Sequence, residues 1–241
     1  MEIHIVDDYH KMSAKAARIV ADQLIRKKNT VLGLATGSTT EGMYRELVKM
    51  NRQNIIDFGN VTTFNLDEYI GLNPDHPQSY HYYMHHHLFD HVNIPAERIY
   101  IPAGNGEDIE RICRDYDQKI KVAGGIDLQI LGIGVNGHIG FNEPAGKLKT
   151  ETHPVDLSAE TIRANSRFFD SADAVPRRAI TMGMGSIMHA RTIMLLAGGK
   201  SKAGAIRKTV NGEITTTVPA SLLQLHRKFI LIVDREAASL L

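Results

Sequence analysis

The sequence predicts an α/β fold, with a mostly parallel sheet covered by helices on both faces. Three observations carry that prediction. Short apolar runs alternate with longer amphipathic stretches along the whole chain. The runs are of strand length and mostly apolar, as strands buried inside a sheet are. Several of them empty into loops rich in glycine, hydroxyl or carboxyl groups, and the carboxyl edge of an open α/β sheet is where such loops bind ligands.

The elements follow in order. Ile3 to Val6 reads as a strand, and Asp8 to Arg26 as a helix with Ala16, Ile19, Val20 and Leu24 on one face. Val31 to Ala35 is the next strand, followed by a helical pattern from Thr40 to Met50. Val61 to Asn65 leads through an evident loop, Ile70 to Pro77, into a helical pattern from Gln78 to Asp90. Ile99 to Ile101 precedes Asp108 to Val122, and Ile126 to Leu131 precedes a long loop and the short helical pattern Ser158 to Asn165. Ala179 to Met182, Thr192 to Ala197 and Phe229 to Val233 are the last strands, with a helix from Ser201 to Thr209 between the final two.

Composition bounds the function. A chain of 241 residues can bury one substantial core, so residues 1–241 are read as a single domain. The formal net charge of +1 offers no broad basic field, so a nucleic-acid partner is not expected. Cys113 is the one cysteine, which rules out an intrachain disulfide and fits a reducing cytoplasm. The opening Met1 to Asp8 has neither the basic end nor the apolar core of a signal peptide, and the apolar runs are too short to span a bilayer. The expectation is a cytoplasmic protein without a membrane partner.

The most informative stretch is Ile130 to Pro144. A strand runs into glycines, then His138, then Glu143, then a proline that discourages helix through Phe141 and Asn142. Gly132, Gly134 and Gly137 fit the dinucleotide fingerprint, and Asp156 even lies where a ribose-binding acid would. That fingerprint needs a helix straight after the glycines to receive the pyrophosphate. Phe141 to His153 carries Pro144, Gly146 and no helical stripe, so a dinucleotide site is not expected. The plain alternative is a glycine turn around a buried histidine.

Two more strand ends carry chemistry. Val31 to Ala35 empties into Thr36-Gly37-Ser38-Thr39 before a helical pattern, an arrangement whose free N–H groups and dipole suit a phosphate. No lysine precedes the hydroxyl residues, so this is not a Walker loop, and simple N-capping by Ser38 or Thr39 would leave the same trace. Asp67 follows the strand Val61 to Asn65, where a carboxylate can serve as general base or merely be solvated. Lys200 and Lys202 follow Gly198-Gly199 after another strand, so one of them can reach a phosphate on the same edge. His81/His85 and His87/His91 have i, i+4 metal spacing, but without H-E-x-x-H or a paired cysteine they read as a polar helix face. Cys113 sits in a helical pattern and reads as packing rather than nucleophile.

Taken together, the segments Thr63 to Tyr69, Gly137 to Pro144, Ala164 to Phe169, Thr36 to Thr39 and Leu222 to His226 resemble the glucosamine-6-phosphate deaminases. The resemblance runs in order over nearly the whole chain. It implies a single-domain, Rossmann-like enzyme that converts glucosamine 6-phosphate to fructose 6-phosphate and ammonia, with no cofactor and no metal. By that resemblance His138 opens the sugar ring, held by Glu143, and Asp67 moves a proton from C2 to C1. Gly37, Ser38, Thr39, Arg167 and Lys202 hold the phosphate. Asn136 belongs to the catalytic set as well, and here the chain departs from the better-known members, which carry Asp. His153 and Val155 replace basic residues that hold the allosteric phosphate in regulated hexameric members, which also run longer at the C-terminus. A monomer or small homo-oligomer is therefore expected. The first rival is a 6-phosphogluconolactonase, which would not be expected to carry Phe141-Asn142-Glu143-Pro144. The second is a non-catalytic sugar-phosphate sensor, which would need a DNA-binding segment.

Overall fold

Strands that are apolar at every position must be covered on both sides. The computed structural model, which describes all residues except Arg167, Phe168, Asp170, Ala172 and Asp173 and the side chains of Glu160, Ala164 and Asn165, shows how that cover is arranged. Strands β2 (Val31–Leu34), β6 (Leu128–Leu131), β9 (Thr192–Ala197) and β10 (Phe229–Asp234) are buried at every residue. With β1 (Glu2–Val6), β3 (Thr62–Asn65) and β5 (Ile99–Tyr100) they form one parallel sheet in the order β1-β10-β9-β6-β2-β3-β5.

Successive residues along a strand point to opposite faces, so the sheet divides its side chains between two cores. One face meets α1 (Tyr9–Arg26), α2 (Ser38–Arg52) and α3 (Tyr80–His87), with Val20, Leu24, Met43, Leu47 and Met84 packed on Leu34 and Ile130. The other meets α4 (Ile109–Val122), α6 (Met184–Met188) and α7 (Ala203–Asn211), with Tyr116, Ile187 and Ile206 packed on Phe64 and Leu195. Side-chain caps start four helices: Asp8, Ser79, Asp108 and Ser158 each accept the N–H three residues on, the last of them opening α5 (Ala159–Asn165).

The order of strands locates the site. From β2 the chain moves outward through β3 to β5, whereas from β6 it moves the other way through β9 to β10. Adjacent β2 and β6 therefore form the topological switch point, and the loops after them open a crevice at their carboxyl ends.

Not every predicted strand joins this sheet. The run read as Ala179 to Met182 is β8 (Arg178–Thr181), the middle strand of a separate antiparallel sheet with β4 (Asp67–Tyr69) and β7 (His153–Asp156). Neither β4 nor β7 announces itself in sequence. A three-residue strand holding two carboxylates, and another with proline in second place, lack the apolar pattern by which strands are read.

Candidate active site

Asp67 stands where the two sheets meet. Leu66, directly after β3, donates its N–H to Leu34 in the parallel sheet and accepts from Met182 N beyond β8. Asp67 is thus the first residue of β4, opposite Thr181, rather than a loop residue past a strand end. It is buried with 7% exposure. Loss of water pushes its carboxyl up to about 8, with the neighbouring Glu68 charge adding to the push.

The loop after β6 is fastened to the same place. Phe141 N donates to Thr181 Oγ1 at 3.0 Å, and Asn142 Nδ2 donates to Ile139 O and Met182 O. A β-carbon at Gly140, whose φ is +58°, would come within 2.9 Å of Thr181 Oγ1 and 3.7 Å of Asp67 Oδ2, so glycine lets the loop pass close to the carboxylate. No helix follows the three glycines; the next one is α5, beginning at Ala159. The dinucleotide fingerprint therefore lacks the helix N-terminus that would receive a pyrophosphate.

His138 projects from this loop over Gly134, whose missing side chain leaves space for the imidazole ring: a β-carbon there would lie 2.3 Å from ring atom Cε1. His138 Nδ1 is 3.4 Å from Glu143 Oε2, an ion-pair separation. Asn136 Nδ2 donates to the same Glu143 oxygen at 2.8 Å, and Asn136 Oδ1 accepts His138 N at 3.2 Å. Ser158 and Thr161, at the start of α5, donate to the other oxygen. Burial opposes the charge of Glu143, but His138, Thr161 and Asn136 outweigh it and bring the carboxyl down to about 2. Glu143 stands behind His138 and does not itself line the cavity.

The third component is the turn into α2. Gly37 is its N-cap, no side chain caps the helix, and Ser38 and Thr39 begin its first turn. The plain capping role considered for Ser38 and Thr39 is not what they play. Three tyrosine hydroxyls hold the carbonyls of the turn: Tyr44 donates to Ala35 O at 2.5 Å, Tyr83 to Gly37 O at 2.9 Å and Tyr9 to Ser38 O at 2.7 Å. With the carbonyls engaged, the N–H groups of the first turn form an anion cradle.

One cavity of about 520 Å³ joins these parts. Gly37, Ser38, Thr39, Asp67, Asn136, His138 and Lys202 all line it, as do Tyr69, Tyr83, Thr161 and Phe169. Arg167 lies outside the described residues. Sequence reading missed Thr161, Ser158, Glu68 and the three tyrosines. A side chain eighteen residues from Glu143 gives no local sign that it will donate to it. Of the remaining candidates, His87 also lines the cavity, while His81, His85, His91, Lys200, His226 and Cys113 do not. His81 and His85 stack ring on ring at 4.5 Å, His226 Nε2 meets Ala190 O, and the buried Cys113 thiol is pushed up to about 11 by burial, which suits packing.

The chain that brings an uncapped helix N-terminus, a buried acid and a histidine–carboxylate pair together at a switch point is similar to known proteins. The model of the family described as glucosamine-6-phosphate isomerases/6-phosphogluconolactonase matches residues 7–231. The chain belongs to this family. Within it, the glucosamine-6-phosphate deaminases of Thermoanaerobacter sp. (strain X514) and Halothermothrix orenii are each 60% identical over 241 residues, all of this chain, and 95% and 100% of their own lengths. The structure of a monomeric glucosamine-6-phosphate deaminase matches with a TM-score of 0.98 at 48% identity, over 100% of both chains. A 6-phosphogluconolactonase from Thermotoga maritima matches with a TM-score of 0.75 at 21% identity, covering 97% of this chain and 99% of its own, a likeness of fold alone.

Proposed function

We propose that the protein is a glucosamine-6-phosphate deaminase: it isomerises D-glucosamine 6-phosphate and releases ammonia to give D-fructose 6-phosphate. The observation that carries this reading is that a proton-holding Asp67 and His138, backed by Glu143, line one cavity that also opens on the N-terminus of α2. The phosphate rests on the N–H groups of Gly37 to Thr39, with Lys202 and Arg167 adding charge. His138 takes the proton of the anomeric hydroxyl and passes it to the ring oxygen, opening the pyranose. Glu143, already ionised, steadies the imidazolium that forms meanwhile.

Asp67 then removes the C2 proton and returns a proton at C1. The resulting C2 imine adds water and expels ammonia. A substrate whose C2 amine is cationic favours the Asp67 carboxylate, because an opposite charge nearby stabilises the ionised form. A proton shuttle and an addition of water need no redox cofactor and no metal. Homology favours this reading over lactone hydrolysis, since relatives at 60% identity carry the deaminase name while the lactonase match stands at 21%. An ammonia-release assay with glucosamine 6-phosphate, run beside hydrolysis of 6-phosphogluconolactone, tests it. Turnover of the lactone alone would reverse the choice.

We also infer a monomer or small homo-oligomer in the cytoplasm, acting without nucleic acid or membrane. The 48% identical solved deaminase is monomeric by its description. Among the described residues no helix is long and apolar enough to cross a membrane. At the places where regulated members hold an allosteric phosphate, His153 is driven toward its neutral form by burial and Val155 has no charge. Light scattering, with saturation curves with and without N-acetylglucosamine 6-phosphate, checks this. A hexamer with a sigmoidal curve would overturn it.

A further inference from the structure

Glu68 is buried beside Asp67 yet takes no part in the reaction as drawn. Alternation along β4 sends Asp67 and Tyr69 to the cavity and Glu68 to the far side, where it is 3% exposed. Its Oε1 accepts the N–H of Tyr69 at 2.8 Å and of Tyr80 at 2.9 Å, and its Oε2 accepts the N–H of His81 at 2.8 Å. Tyr80 and His81 open α3, and their amides have no acceptor within the helix. Ser79 Oγ takes the next amide, Tyr82 N, at 3.0 Å. The helix that forms one wall of the cavity thus begins on the carboxylate of Glu68. Gly104 closes the space behind: a β-carbon there would meet Tyr69 O at 1.9 Å and Glu68 Cγ at 3.2 Å. Among the described residues no lysine, arginine or histidine is ion-paired to Glu68.

Two adjacent buried carboxylates cannot ionise independently. Burial raises the carboxyl of Glu68 too, but three N–H donors work against that rise, whereas no side chain or amide among the described residues is hydrogen-bonded to the Asp67 carboxyl. The first proton lost belongs to Glu68, and the one retained stays on Asp67. The other titratable groups facing Asp67 are Tyr44 of α2, Tyr80 of α3 and Tyr116 of α4, all buried phenols whose pKa is raised, hence neutral. His138 and Lys202 reach the same cavity from the loops after β6 and β9.

We propose that Glu68 is a positioning residue: a fixed internal anion that anchors the N-terminus of α3 and, through its charge, keeps Asp67 a strong base. The second half rests on the reading that Asp67 takes the C2 proton. Glu68 lies within the segment Thr63 to Tyr69, but its contribution reaches the substrate only through its neighbour and the helix it holds.

The test is Glu68→Gln, which keeps the shape and removes the charge. The acid limb of kcat/KM, which rises as Asp67 ionises, is expected to move down by about one pH unit. The ¹³C carboxyl titration of Asp67 in the ligand-free protein is expected to move in the same direction. The titration needs no substrate, so it stands even if the deaminase reading fails. Glu68→Asp retains the charge and should leave the acid limb near its original place. Should Glu68→Gln fold poorly, the coupling can be read from the other side. In Asp67→Asn the Glu68 titration must move to lower pH, because linkage between two protonation sites is reciprocal. Unmoved midpoints in these variants, with only a lowered Tm, would reduce Glu68 to a helix cap and overturn the proposal.

Discussion

Asp67 and Glu143 serve one cavity, and both are largely withdrawn from water, yet their carboxyls stand about six pH units apart, near 8 and near 2. Burial pushes both the same way. What separates them is company. Glu143 receives Asn136, Ser158 and Thr161 as donors and lies against His138, whereas Asp67 has a second carboxylate beside it. Burial alone therefore does not decide what a carboxylate can do; donors and charged neighbours do. A group held near 2 is a permanent anion, fit to steady a histidine. A group held near 8 changes state within the working range, fit to take and return a proton.

The strongest way to break this contrast is Asp67→Asn. Turnover is expected to fall by about 10²–10⁴, since the variant cannot accept the C2 proton. Stability should move the opposite way. The folded pKa of Asp67 is raised, so between 3.8, its ordinary value, and about 8 the folded chain keeps a proton that the unfolded chain has lost. Stability then falls as pH rises through that window, and Asn removes the penalty. A melting curve at pH 8 should show Tm higher by at least ~2 °C. A near-normal kcat would remove Asp67 from the reaction, and an unchanged Tm would mean that its carboxyl is not strained by burial.

Next is His138→Gln, which leaves Glu143 an anion with nothing to steady. The variant should lose about 10²-fold on the cyclic sugar and less on substrate presented in open-chain form. Equal losses on both would move His138 to a later step.

The two halves of the contrast differ in how legible they were. Strands β2, β6, β9 and β10 are predominantly apolar, so the sheet and its ligand-binding edge could be read from pattern alone. The glycines around His138 and the strand-loop-helix at Gly37 likewise carry local signatures. Pattern alone shows Asp67 only as a carboxylate near a strand end, and its role comes from the resemblance over Thr63 to Tyr69. Its burial depends on β8 and β4 pairing across more than a hundred residues, which no local pattern encodes. The donors to Glu143 were hidden for the same reason: Ser158 and Thr161 read as an ordinary helix start, and Ser158 is indeed one. Their second task is set by where α5 lands.

Thr161→Val isolates that second task. The variant keeps the shape and removes a donor to a charged group, worth about 1.5 kcal/mol at neutral pH. Glu143 has a depressed folded pKa, so its contribution is present above its ordinary 4.5 and is lost as pH falls toward about 2. In urea titrations the gap between variant and parent should therefore be full at pH 7 and close as pH approaches 2. A gap that does not change with pH would mean the hydroxyl acts through packing alone.

The smallest effect is expected at Asn136→Asp, and it sharpens the comparison most. Oδ1 of the new side chain can still accept His138 N, so the loop keeps its turn. The other oxygen replaces a donor to Glu143 with an acceptor, and two carboxylates then face each other where an amide and a carboxylate had met. Such a pair holds one proton to higher pH than either alone. Glu143 thereby acquires some of the character of Asp67, a carboxyl beside a like charge. At pH 8 both groups are ionised and His138 has two anions near it, so kcat/KM should stay within about threefold of the parent. Below pH 6 the pair should begin to take up its proton, and activity and stability should fall earlier than in the parent, by about 1 kcal/mol in stability. An unchanged acid limb would show that the Asn136 amide does little to hold Glu143 ionised, and that His138 and Thr161 suffice.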